Sequence, residues 1–165
     1  IVYSTGNFLF FNEQDQEITS SWYYGYLPVL TYHSGSEIKL DVIPYRFDPD
    51  CTRIEPFKNK EHEAMMEYLE KISCLFQDCQ RHEDYFKAWC VLYGSKAAKN
   101  LVFKESYLLE PDSGQHPDFL AMRNLLTCEA HHEVMATLMR VIENGQISKY
   151  TDMSDEIHKL QQMPV

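Results

Sequence analysis

Histidines that sit beside carboxylates are the first residues to question for chemistry, because imidazole and carboxylate bind zinc or manganese when three or four converge. Among such runs are His131-His132-Glu133 and His62-Glu63. A zincin helix sets two His one turn apart as H-E-x-x-H, but the second His position is occupied by Met66 in one run and Ala136 in the other. His131 and His132, adjacent on a helix, point about 100° apart and cannot both ligate one ion without distortion. Solvated or capping histidines are therefore expected, and no metal site. His116-Pro117-Asp118 reads as turn and helix-start charge chemistry, not as an acid–base pair. Cys74 and Cys79 stand five apart, the spacing of neither a zinc knuckle nor a C-x-x-C redox pair. Asp41, Asp48 and Asp50 cluster near a turn without the Gly and terminal Glu of a calcium loop. These groups leave the catalytic residues unassigned, and a self-contained thiol or histidine enzyme, which would need a Cys and a His within hydrogen-bond reach in a cleft, is the weakest expectation.

One further run stands out. Tyr3-Ser4-Thr5-Gly6-Asn7-Phe8-Leu9-Phe10 reads as a strand, a tight bend at Gly6-Asn7 and a returning aromatic strand, since Gly and Asn tolerate positive φ. Gly-Asn also opens the G-N-H-[ED] metal motif of calcineurin-like phosphoesterases. Here Phe8 stands in place of that His, which argues against a direct metal role for Asn7.

The elements that must position these residues fall into two zones. Residues 1–57 hold 12 of the 22 aromatics and none of the seven Met, which marks a change of architecture near residue 58. In the first zone Glu37-Ile38-Lys39-Leu40-Asp41-Val42 alternates strictly, predicting a half-buried antiparallel strand with Ile38, Leu40 and Val42 inward. Tyr26 to His33 is its hairpin partner across Ser34-Gly35. Pro28 and Pro44, unable to donate to a ladder, predict edges or bulges. Asn12 to Ser21 is a polar loop, and a short strand near Arg53 to Glu55 ends at Pro56.

From Lys58 the periodicity is helical. Asn59 is a candidate N-cap, followed by Glu61 and Glu63 in a first turn and a stripe of Met65, Leu69, Ile72 and Phe76. A second helix carries Phe86, Trp89, Cys90 and Tyr93 inward and is expected to end at Gly94. Lys96 to Leu109 has no clear period, and Pro111-Asp112-Ser113-Gly114 resets the chain. Pro117 opens a helix with Phe119, Met122 and Leu126 inward, and Thr127 caps the next. That one buries Val134, Leu138, Val141 and Ile142 and stops at Asn144-Gly145. Ser154 caps a last helix to Gln162. The Met faces (Met65, Met66, Met135, Met139) read as adaptable core filling or as a docking surface.

Composition narrows the function classes. With 15 basic against 25 acidic residues the formal charge is −10, split as 3 against 8 before Lys58 and 12 against 17 from there on, so no basic stripe invites a nucleic acid. No run reaches the ~20 apolar residues of a membrane-spanning helix. Five cysteines without C-x-x-C spacing predict free thiols in a reducing compartment, and hence a cytoplasmic location. The expected class is α+β: N-terminal antiparallel strands, then a bundle of four to five α-helices.

Ile1 to Phe10, with Tyr3, Ser4, Gly6, Asn7 and Phe8 as its motif positions, resembles the Y-S-x-G-N-F-[LVI]-F segment near the end of the bacterial capsule synthesis family of poly-gamma-glutamate type. Val42-Ile43-Pro44-Tyr45-Arg46 is similar to that family's later I-P-[VY]-R element. The resemblance covers residues 1–57, and residues 58–165 match no family on these grounds. It implies that residues 1–57 are the last strands of a calcineurin-like metallophosphoesterase sheet. The D-x-H, G-D-x-x, N-H and G-H-x-H elements that hold two metals in such proteins belong upstream and do not occur here. On this reading the chain is the C-terminal portion of a capsule-biosynthesis protein, inactive alone, with no cofactor of its own and a divalent metal in the full-length parent. Its partners are then the upstream part of the same protein and, along an exposed sheet edge, a second copy. The alternative makes the helices an interaction or regulatory module.

Overall fold

The computed structural model describes residues 23–32, 34 and 38–164. Two compact units divide the chain, residues 1–77 with 159–165 and residues 78–158. The architecture changes from strand to helix beside Lys58, as the composition predicts, and the class is α+β. The first helix nevertheless groups with the strands.

In the first unit, β1 (Tyr24–Thr31), β2 (Lys39–Phe47) and β3 (Ile54–Pro56) form an antiparallel sheet in that order. β1 and β2 pair without a bulge from Tyr24↔Arg46 to Thr31↔Lys39. Pro28 therefore lies on β1, an edge strand of the sheet among the described residues, as expected, whereas Pro44 lies inside the middle strand and at neither an edge nor a bulge. The ladder's parity explains why they fit. The Pro44 carbonyl accepts from the Phe57 amide at 3.0 Å, so its backbone polar edge faces β3 and away from β1. Pro28 pairs with Val42, two residues along, and so turns its ring nitrogen away from β2. Neither ring removes a bond between β1 and β2.

Burial in this ribbon also departs from expectation. Ile38 and Leu40 are exposed (62% and 47%), as is Leu30 opposite Leu40 (70%). The core collects instead at the other end, where Tyr23, Tyr24, Phe47, Phe57 and Met65 cluster with Ile54, Tyr68 and Met163 against them. Tyr24 stacks on Phe57 (centroids 5.8 Å apart), and Tyr23 meets Phe47 edge-on at 5.9 Å, both favoured arrangements. Helix α1 (Asn59–Cys74) adds Met65 to this core, with Leu69 and Ile72 half-buried and Phe76 exposed beyond its end. Lys58, not Asn59, takes the N-cap position, and Asn59 has φ +52°. The Tyr68 hydroxyl donates to the Leu160 carbonyl at 2.6 Å, fastening the C-terminal residues to this unit.

The second unit is built on α2 (Cys79–Ala97), α3 (Ser106–Leu109), α4 (Pro117–Thr127), α5 (Glu129–Glu143) and α6 (Ile147–Thr151), with the start of α7 (Ser154–Gln161). Asp78 caps α2 by accepting from the Arg81 amide at 3.0 Å. The buried face of α2 is Tyr85, Ala88, Cys90, Val91 and Gly94, whereas Phe86, Trp89 and Tyr93 are half-buried. Gly94 is not a terminus. It lies inside α2 where a Cβ would come within 3.2 Å of Leu138 Cδ2 and 3.4 Å of Val134 Cγ1, so its lack of a side chain lets α2 and α5 approach closely.

Smaller departures follow the same logic of helix phase. α4 buries Met122 and Leu125, leaving Leu126 exposed, and α5 buries Met135, Thr137, Leu138 and Val141 while Ile142 faces solvent. Thr127 closes α4 by donating to the Arg123 carbonyl at 2.9 Å, and Cys128 occupies the N-cap of α5. α5 ends at Asn144, and Gly145 supplies the positive φ (+65°) expected there. Ser154 is the first helical residue of α7 and not its cap.

Candidate functional site

Tyr3, Ser4, Gly6, Asn7 and Phe8 lie outside the described residues, as do Gly35 and Glu37 of the expected hairpin turn and strand start. The histidines are where spacing placed them. His131 and His132 are exposed on the first turn of α5, and Glu133 accepts from Arg140 and Thr137 at 3.1 Å each. The hydrogen bond from Arg140, helped by that from Thr137, holds the Glu133 carboxyl below its ordinary value. Among the described residues no three His, Cys, Asp or Glu side chains are arranged to hold a metal ion. The His116 imidazole accepts from the Asp118 amide at the start of α4, and Asp118 pairs with Lys104, which lowers the Asp118 pKa.

The thiols divide by burial. Cys74 and Cys79 are exposed and free, Cys51 and Cys128 half-buried. Cys90 is buried, and desolvation, with the Glu133 charge adding to it, pushes its pKa up to about 11. At neutral pH only about one Cys90 in ten thousand is then the thiolate that does chemistry.

Asp48 is the buried carboxylate of the aspartate cluster, 4% exposed. It accepts from the Thr52 amide (2.7 Å), the Thr52 hydroxyl (3.0 Å) and the Arg53 amide (3.0 Å) and so organises the loop between β2 and β3. The Arg53 amide is the chief cause of its lowered pKa. Asp41 pairs with Lys39 at 2.8 Å on the exposed part of β2, and Asp50 sits in the turn. No two of these three carboxylates act together.

Two polar networks in the helical unit escaped the sequence, because their members are more than 60 residues apart. The Tyr85 hydroxyl donates to Glu156 Oε2 (2.8 Å) and accepts from both Nε and a terminal nitrogen of Arg81. Asp84 accepts from Lys149 Nζ (3.2 Å) and from the Tyr150 hydroxyl (3.1 Å). These bonds tie α6 and the start of α7 to α2.

Among the described residues, each unit carries a concavity of several hundred Å³. In the helical unit an apolar cleft of about 520 Å³ is lined by Val91 and Leu92 of α2, Leu138 and Ile142 of α5, and Ile147 and Tyr150 of α6. In the first unit a cavity of about 450 Å³ lies between β2, β3 and the start of α1, and Arg46, Arg53 and Lys58 bring three cations to its wall. Arg46 is the last residue of the Ile43-Pro44-Tyr45-Arg46 element, so that run reaches a concave surface. The chain matches no family model, no curated protein sequence and no solved structure. No helix among the described residues is long and apolar enough to cross a membrane.

Proposed function

We propose that the chain is the C-terminal portion of a capsule-synthesis protein of poly-gamma-glutamate type, supplying the last strands of a phosphoesterase-like sheet and an added set of helices. The observation that carries this reading is the Gly6-Asn7-Phe8 run followed by a regular antiparallel ribbon whose second strand contains Ile43-Pro44-Tyr45-Arg46. The ribbon's exposed Leu30, Ile38 and Leu40 also suit a sheet that continues into another part of the polypeptide. A divalent metal and the phosphoryl chemistry it supports then belong to the upstream portion. The test is the full reading frame: Asp, Asn and His metal motifs are expected before Ile1, and their absence would sink the assignment.

A second reading treats the helical unit as a module that docks a separate protein, and the apolar cleft with exposed Ile142 and Ile147 favours it. The Met residues give it only part of a surface, since Met65, Met122 and Met135 are core while Met66 and Met139 are exposed. Hydrogen exchange in the parent protein separates the two. Protection of the α2, α5 and α6 amides around the cleft in the parent alone places the cleft against the same polypeptide. Protection that appears only on adding a second purified protein supports the module.

A further inference from the structure

The cavity beside β3 has a composition at odds with the rest of the chain. Across a molecule of charge −10 its wall carries Arg46, Arg53 and Lys58 against Glu55 and Glu61. Arg46 is set in place from below, its guanidinium 5.3 Å over the ring of buried Phe57, and reaches Glu61 at 3.2 Å. Arg53 reaches Glu55 at 2.9 Å and Asp48 at 3.5 Å. Lys58 pairs with no carboxylate among the described residues. Both arginines thus already hold carboxylate oxygens, and the protein's own glutamates occupy the positions an incoming oxyanion would take. Those pairs are partly exposed, and exposed pairs exchange readily with ions from solution.

We propose that Arg46, Arg53 and Lys58 form a binding site for a phosphoryl dianion, such as the phosphate group of a phosphomonoester. Three cationic groups lining one concavity suit a tetrahedral group with three terminal oxygens and about two negative charges better than a carboxylate with two oxygens and one. Binding releases Glu61 from Arg46 and recruits Lys58, the cation left over in the resting arrangement. The proposal does not depend on the family reading above.

The probe is inorganic phosphate, titrated into the whole chain at pH 7.5 and constant ionic strength while the backbone amide signals are followed by NMR. Saturable shifts confined to residues 44–62 are expected. Lys58→Gln should weaken binding roughly five-fold, and Glu61→Gln, which removes the competing carboxylate, should tighten it roughly three-fold. Both side chains are at the surface, so retained spectra outside the site show that the variants fold. Non-saturable or scattered shifts, tighter binding of glutarate than of phosphate, or unchanged affinity in Glu61→Gln would each overturn the proposal.

Discussion

Asp48 shows how a single side chain can read as a ligand and serve as scaffold. Its carboxylate is satisfied by Thr52 and Arg53, and those bonds hold its pKa below the usual carboxylate range. A carboxyl depressed in the folded state adds stability above its unfolded pKa near 4 and loses it as pH falls through the folded value. Asp84, Asp118 and Glu133 are depressed too, so all four act in one direction. Denaturant midpoints should therefore be steady from pH 7 to 5 and fall below pH 4, and Asp48→Asn should flatten that fall. At Gly94 two effects compete. Ala gains about 1 kcal/mol of helix propensity but must press on Leu138, whereas Leu gains nearly the same propensity and brings a far larger side chain into that contact, so the crowding wins and Leu should cost about 1–3 kcal/mol in urea unfolding.

At the scale of elements, the strands and helices were legible wherever a local period sets them. Pro117 opening α4 and Gly145 ending α5 are examples, because each is fixed by its own φ. Which side of an element is buried was less legible. Ile38, Leu40, Leu126 and Ile142 all fit an apolar period and all face solvent, since burial depends on a partner surface that spacing does not encode. The converse holds for Tyr85, whose hydroxyl finds Glu156 71 residues away. Tyr85→Phe should lower the stability of the helical unit by about 1 kcal/mol, and Leu30→Lys should change stability by less than about 0.5 kcal/mol. Differential denaturation of the two variants checks both numbers.

Over the whole molecule, the change of residue composition at 58 and the division into compact units do not coincide, because α1 contributes Met65 to the core made by the strands. A reader of composition sees where the chain changes period, while compactness follows where side chains meet. The cysteines offer a way to follow the opening of the helical unit. Cys74 and Cys79 should react with an aromatic disulfide within seconds at neutral pH, and Cys90, inside residues 78–158, only at the rate at which that unit opens. Fast labelling of Cys90 in the folded protein would contradict the packing of α2. Neither thiol reading nor helix phase touches residues 1–22, where the motif of the family resemblance lies.

The two prolines of the ribbon have a consequence for folding fidelity. Pro28 and Pro44 sit in the same phase, so a slip of one strand by a single residue would swing a proline nitrogen into the ladder between β1 and β2. The mispaired hairpin would lack a donor at that point, and its Leu30 and Leu40 would no longer share a face. Pro28 also leaves a gap in the donors that β1 turns away from β2, so a foreign strand adding there meets an interrupted template. The rings thus act as a register key, admitting one pairing of the ribbon and spoiling its nearest competitors.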